Sequence, residues 1–321
     1  MSVGVFEWFS SLPKLSHEYE SIRREGLTML GCLVELLRPV TEVRVFVAAE
    51  LAEEFAGNFE LKSNEVREYS GAGQPDQVLS AWQELSQTVD FGWVVAPEMD
   101  GLLHRASAAL HGQTTLINCS QNFLALASDK WQTATKLKAA EVPHPNTYLA
   151  SDSKSALAHV HSAQTWVYKR ADGAGCDGVR LFDRAGLAAL EPSGAHVHAI
   201  LQPWLQGEHF SASFYAGPNS LTRIGVATQK ICTKFQRVTL DGLKPADFVP
   251  DRDAMWSVAE AAVGALGPHG LGWIGVDMVY ETETRTWLVI EINPRCTSSI
   301  ELFAHEDRLA RSIAEVLEVL G

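Results

Sequence analysis

Near the C-terminal end, Val289-Ile290-Glu291-Ile292-Asn293-Pro294-Arg295 alternates apolar and polar side chains and then meets a proline. In a strand, alternate residues share a face, so Glu291, Asn293 and Arg295 project together while Ile290 and Ile292 turn into a core. Pro294 has no N–H for a ladder, so regular pairing stops about there. The chain must therefore end a sheet strand with two hard oxygen ligands and one fixed cation, a set suited to a magnesium-bound triphosphate. On these residues alone, an edge strand whose polar side chains merely face water is the alternative.

Asp277 adds to the pattern. It sits between Val276 and Met278 in an otherwise apolar run, Gly272–Tyr280. A carboxylate in a buried strand is costly unless it is paired or coordinated. One hairpin separates it from Glu291, so the two are expected as cross-strand neighbours. With Asn293 they make an oxygen-only cluster, which favours magnesium over zinc.

A second group of residues suits the phosphates. Trp166-Val167-Tyr168-Lys169 reads as an apolar strand delivering a lysine. Gly173, Gly175 and Gly178 follow in a short loop. Glycines let backbone N–H groups turn toward an anion and remove side chains that would block its approach. The loop is neither a Walker motif nor a GxGxxG opening a helix, and a surface hairpin turn is the other reading. Lys130 lies at a predicted helix start, a location that favours phosphate, although a lysine there is commonly just solvated. Gln202-Pro203-Trp204-Leu205-Gln206-Gly207-Glu208 combines an amide, an apolar wall and a carboxylate. It can serve an adenine edge, its ring face and a ribose, or act as a plain connector.

Composition sets the class. The 321 residues, 46% hydrophobic and 20% charged, fit a globular protein of two or three packed units. A net charge of −13 argues against non-specific nucleic-acid binding and against an anionic membrane surface. The five cysteines form no CxxC pair, which favours a reduced, cytoplasmic setting over a disulfide framework. No apolar run approaches membrane-spanning length. The histidine pairs His159/His161 and His196/His198 have no ligand-spaced partners and read as surface residues.

The order of elements is mixed. Val3–Phe6, Glu42–Ala48 and Gly92–Ala96 read as strands, and 20–38 and Val78–Leu85 as helices. This opening third is expected to be a small doubly wound α/β unit, with Glu98-Met99-Asp100-Gly101 at the C-terminal end of a strand, where open sheets put their ligands. Thr115–Asn118 reads as another short strand. A helix from Lys130 to about Ala140 has Ser128 or Asp129 as N-cap, and Val142-Pro143-His144-Pro145 stops it. Residues 146–200 suggest strand, helix, strand, glycine loop, strand and helix. Ala199–Trp204, a hairpin of Gly207–Ala216 with Leu221–Ala227, a helix at Ala254–Leu266, strands at Gly272–Tyr280 and Trp287–Ile292, and a helix from Asp307 follow.

The ordered set Lys130, Lys169 with its glycine loop, Gln202–Glu208, Asp277 and Glu291-x-Asn293-Pro294-Arg295 resembles the ATP-grasp superfamily over residues 118–321. The resemblance implies an α/β N-terminal domain (1–117), an ATP-grasp small subdomain (118–202) and a C-terminal subdomain (203–321) of α+β character. It also implies ATP and Mg2+ or Mn2+. Lys130, Lys169 and the 173–178 loop would hold the phosphates. Gln202 and the Leu205 backbone would meet adenine, and Glu208 the ribose. Asp277, Glu291 and Asn293 would hold the metal, with Arg295 on the transferred phosphoryl group. The implied chemistry is attack of a carboxylate on the γ-phosphate and then of an amine on the acyl phosphate. Small-molecule substrates, no nucleic acid, no membrane and a homodimer complete the expectation.

Within the superfamily the chain is similar to the branch that includes tyramine–glutamate ligase of methanofuran biosynthesis. The similarity lies in Phe6-Glu7-Trp8, Glu25-Gly26 with Met29-Leu30, Ala96–Gly101, Asn118-Cys119-Ser120 and Ser128-Asp129-Lys130. That branch implies glutamate and a tyramine- or tyrosine-type amine. Departures are Gln202 where many members carry Glu, Pro203 without an N–H, and Asp177 in the phosphate loop, expected to point outward or pair with Arg180. The cationic segment containing Arg223, Gln229, Lys230, Lys234 and Arg237 suggests Arg223 or Lys230 at the acid site. Trp8, Trp273 and Phe303 are candidates beside an aromatic amine. A binding module without catalysis and a phosphotransferase needing no amine are the other readings.

Overall fold

The computed structural model describes residues 1–15, 19–158, 165–190 and 198–321. The first of its two sheets has five strands: β1 (Ser2–Glu7), β2 (Glu42–Ala48), β3 (Val66–Tyr69), β4 (Phe91–Val95) and β5 (Thr115–Leu116). They lie in the order β3-β2-β1-β4-β5 with every pair parallel. Strand β1 is buried along its whole length, as a central parallel strand covered on both faces must be. The order reverses between β1 and β4. Glu7 ends β1 and Glu98 follows β4, so both carboxylates stand at the switch point of a doubly wound sheet.

The second sheet is antiparallel. It contains β6 (Tyr148–Leu149), β7 (Trp166–Arg170), β8 (Arg180–Phe182), β9 (Ala199–Pro203), β10 (Gly207–Gly217), β11 (Ser220–Lys234), β12 (Arg237–Pro245), β13 (Gly272–Glu281) and β14 (Thr286–Asn293). Their order is β14-β13-β10-β11-β12-β8-β7-β9-β6. Among the described residues a single register pair, Arg237 opposite Arg180, joins β12 to β8, so the sheet nearly parts between a four-stranded and a five-stranded half. The glycine loop between β7 and β8 lies at that seam.

Several elements run longer than the sequence suggests. The expected hairpin extends to Lys234 and continues into β12, a strand without a turn signal; Phe235 and Gln236 both take positive φ, 49° and 62°. Such a turn normally calls for Asn or Gly. The predicted helices appear as Glu20–Leu37, Pro75–Ser86, Lys130–Ala139, Arg252–Ala265 and Asp307–Leu320. Asp129 is the N-cap of the third, accepting from the N–H groups of Trp131 and Gln132. Trp93 of β4 packs against Tyr215 of β10 at 6.0 Å, so one core runs from the first sheet into the second. His159, His161 and His196 lie outside the described residues, and His198 is exposed. No helix among the described residues is long and apolar enough to cross a membrane.

Candidate active site

Strand β14 carries the centre of the site, and a bulge sets its geometry. Val289 pairs with Met278 and Glu291 with Asp277, leaving Ile290 as an extra residue. The alternation therefore changes phase: Trp287 and Val289 enter the core before the bulge and Ile292 after it. Without the extra residue, Glu291 would share the face of Val289 and be buried in hydrocarbon. The bulge turns it into the cleft instead, a common use of such irregularities beside active sites. Ile290 is consequently half-buried in the cleft wall rather than in the core where simple alternation put it.

Glu291 lies between two lysines, 3.3 Å from Lys130 Nζ and 3.8 Å from Lys169 Nζ. Both lysines are over nine-tenths buried. Burial disfavours the charge of Glu291, but Lys130 and Lys169 outweigh it and hold its pKa below the usual range. Burial lowers the pKa of Lys169, with neighbouring Lys130 acting the same way and Glu291 opposing. Lys130 Nζ also donates to the Gly173 carbonyl, which ties the helix start to the glycine loop.

Across the ladder from Glu291, Asp277 is pushed up to about 7 by burial and by Glu291 itself. Gln229 Nε2 donates to its Oδ1 at 3.1 Å and Asn293 Nδ2 to its Oδ2 at 3.2 Å. Two carboxylates brought opposite each other in a buried site mark a place where a further cation would be favoured. The donors facing the cleft, two carboxylates and the Asn293 amide oxygen, are all hard oxygens, so the set fits magnesium shared with phosphate oxygens. Among the described residues no three His, Cys, Asp or Glu side chains are placed so that they could hold a metal ion between them.

The glycine loop closes one side of the cleft. Gly175 and Gly178 take φ of 63° and 69°, the left-handed region that glycine tolerates, and Cys176 between them is at 61°. Asp177 is exposed at the rim. At the root of the loop, Arg170 bonds both oxygens of Asp172 at 3.0 Å and Asp100 Oδ1 at 2.8 Å, so the 98–101 loop of the first sheet braces the phosphate loop. The opposite end of the cleft is formed by Gln202, Pro203, Trp204 and Leu205. The Gln202 amide donates to Thr147 Oγ1 at 2.9 Å.

Arg295 leaves the end of β14 and pairs with Glu98, Nε to Oε1 at 2.9 Å and Nη2 to Oε2 at 3.0 Å. Burial works against its charge, and Glu98 more than compensates, raising its pKa. Beyond it the wall carries Glu25, Thr297, Ser298 and Ser299, with Ser298 Oγ donating to Glu25.

The structure thus gathers Lys130, Lys169, Gly173, Gly175, Gln202, Leu205, Asp277, Glu291, Asn293 and Arg295 around one cleft. Gly178 stands at the exit of its loop. Other candidates lie elsewhere. Arg223 points to the opposite face of β11, pairing with Glu260 at 2.6 Å and stacking over Trp256. Lys230 is exposed and bonded to Asp241, because its neighbours Gln229 and Ile231 occupy the cleft face. Glu208 is also turned outward by strand alternation, and His209 takes the cleft position against Trp204. Trp8, Trp273 and Phe303 are core residues. Sequence reasoning put the Glu98–Gly101 loop where open sheets place ligands but gave Glu98 itself no role, and it passed over Ser211, which lies opposite Asp277 on the neighbouring strand. The position of Glu98 past a parallel strand was visible, but its partner 197 residues away was not.

Known proteins share the family and the fold. The sequence pattern of the ATP-grasp domain matches residues 127–299, more than half the chain, and that of the pre ATP-grasp 3 domain matches residues 61–122. Among curated proteins none matches. Among solved structures, a protein of the ATP-grasp superfamily from Archaeoglobus fulgidus is similar, with a TM-score of 0.70 and 21% identity over 99% of this chain and 88% of that one. D-cycloserine synthetase gives 0.67 and 17% over the full length of both chains. N5-carboxyaminoimidazole synthetase from Staphylococcus aureus, complexed with ADP, gives 0.67 and 14% over 98% and 76%.

Proposed function

The chain belongs to the ATP-grasp domain family, and from that premise we propose that it is an ATP-dependent carboxylate–amine ligase acting through an acyl phosphate. The observation that carries the reading is the pairing of buried Lys130 and Lys169 with Glu291, which has Asp277 across the ladder in the same cleft. Cations suited to the phosphates and hard oxygens suited to their metal meet on the wall of one cleft.

In this reading Lys130, Lys169 and the loop at Gly173 and Gly175 bind the β- and γ-phosphates. Gln202 and Leu205 flank the adenine. Asp277, Glu291 and Asn293 would hold magnesium, which would supply charge neutralisation at the phosphate oxygens. Arg295 holds the transferred group in line with the attacking carboxylate. The carboxylate oxygen bonds to the γ-phosphorus as the bond to ADP breaks; the amine nitrogen then bonds to the carbonyl carbon, phosphate leaves, and the nitrogen gives up a proton to the released phosphate or solvent. The protein contributes positioning and charge neutralisation, and both are needed only while negative charge moves. The hydroxyls of Thr297 and Ser298 with Glu25 line the end of the cleft next to Arg295 and supply the contacts for the acid and amine.

The test is ADP release against a panel of acids crossed with amines, with product masses read in parallel. The panel begins with glutamate and tyramine or tyrosine, the pair implied by resemblance to the tyramine–glutamate ligase branch and by a role in methanofuran-type cofactor synthesis. Release that needs both partners supports the ligase. Release with an acid alone, giving a stable phosphorylated product, identifies a phosphotransferase, and no stimulation by any acid identifies a binding module.

A further inference from the structure

Resting on the ligase reading, we propose that Glu98 is a positioning residue for Arg295: it fixes which edge of the guanidinium faces the cleft and keeps it from collapsing onto bound phosphate before transfer. Glu98 is 4% exposed and reaches the site from the first sheet, at the switch point between β1 and β4. Arg295 follows Pro294, past the end of the β14 ladder, so its own strand does not orient its long side chain.

The donors can be counted. A guanidinium has five N–H bonds. Glu98 takes Nε–H and one hydrogen of Nη2, and the Cys296 carbonyl takes one hydrogen of Nη1 at 3.1 Å. One hydrogen on Nη1 and one on Nη2 remain, on the outer edge of the fork. Since Arg295 lines the cleft, this outer edge is the part left for an anionic oxygen. The pairing also settles a competition. Glu291 attracts Arg295, and a bound triphosphate would attract it more strongly. The two-point contact to Glu98 opposes both pulls and holds the fork by its inner edge. An arginine so held contributes where charge develops during transfer rather than to binding of the ground state.

Glu98→Gln keeps the shape and removes the charge. Two measurements on the full chain test the idea, and the first needs no acid or amine. Isothermal titration with the non-hydrolysable ATP analogue AMP-PNP and magnesium should show three- to tenfold tighter binding to Glu98→Gln, because the released guanidinium grips the γ-phosphate. ADP should bind within twofold of wild type. In an Arg295→Ala background the same Glu98→Gln change should alter AMP-PNP affinity by less than twofold, as residues acting through one contact are not additive. The second measurement is ADP release with the acid and amine found by the panel, where Glu98→Gln should turn over ten- to a hundredfold more slowly at saturating ATP. Glu98→Asp, which keeps the charge but shortens the reach, should fall between the two.

Unchanged or weaker AMP-PNP binding in Glu98→Gln overturns the proposal whatever the enzyme's substrates are. So does a full effect of Glu98→Gln in the Arg295→Ala background. A wild-type enzyme that releases no ADP with any acid defeats the ligase reading alone. If Glu98→Gln melts early, the same titrations on Glu98→Asp decide, with an affinity gain that disappears in the Arg295→Ala background as the expected result.

Discussion

Replacing Glu291 with glutamine removes the negative charge that separates two buried ammonium groups. At an effective dielectric of about 20, its attractions at 3.3 and 3.8 Å are worth about 5 and about 4 kcal/mol before desolvation is subtracted. Breaking a buried pair from one side typically costs about 3 kcal/mol or more, because the surviving charges stay buried without a partner. Lys130 and Lys169 would then also repel each other. For a chain of this size, about 3 kcal/mol corresponds to roughly 4 to 5 °C in melting temperature.

The same substitution makes a ligand prediction of opposite sign. With magnesium removed by EDTA, the phosphates of ATP can take the place of the missing carboxylate between the lysines. Saturating ATP should therefore raise the melting temperature of Glu291→Gln by several degrees more than that of the wild type, recovering much of the loss. Calorimetric scans of both proteins, each with and without ATP, give the four numbers needed. An unchanged melting temperature in Glu291→Gln would show that the lysines do not depend on Glu291. Equal ATP-induced shifts would show that phosphate does not enter between them.

Further outcomes follow from residues around the site. Burial raises Glu7 from 4.5 to about 7, so the stabilisation associated with its protonated form is complete below about pH 4.5 and is lost as pH rises through 7. The linked change is about 3 kcal/mol, and Glu7→Gln should flatten the stability–pH curve between pH 4.5 and 8 in urea titrations. Arg223→Ala and Lys230→Ala should leave ADP release within about twofold of wild type, since both side chains face away from the cleft. Gly207→Ala places a methyl group against the Tyr280 carbonyl at the start of β10. It should destabilise by about 2 kcal/mol and raise the KM for ATP by disturbing Leu205 and His209.

Much of this architecture can be read from local pattern. Apolar runs such as Ser2–Glu7 and Phe91–Val95, separated by helices with period 3.6, announce a parallel sheet because both faces must be covered. The polar residues of β14 announce a site because an oxygen cluster has no place in an apolar run. Alternation alone misjudges Ile290, since a bulge shifts the phase without leaving a glycine or proline to mark it. The same limit hid the directions of Arg223 and Lys230. Which face a cation occupies on a long strand depends on register shifts at Ser213/Phe214 and Gln229/Ile231, and these are set by partner strands. Trp8, Trp273 and Phe303 looked available for a substrate ring, yet the two sheets share a core that consumes them. Glu98 is the clearest case. Its carboxylate lies in an ordinary strand-to-helix loop until folding brings Arg295 against it.

The claim that the cleft joins a carboxylate to an amine through an acyl phosphate can be tested by following one oxygen atom. The acid identified by the panel is labelled with oxygen-18 in its carboxylate and turned over with ATP and the amine, and the released phosphate is examined by mass spectrometry. One labelled oxygen should appear in inorganic phosphate for each amide formed, because the carboxylate oxygen leaves bound to phosphorus. Phosphate free of label, with all carboxylate oxygen accounted for in the product or in water, would contradict the mechanism.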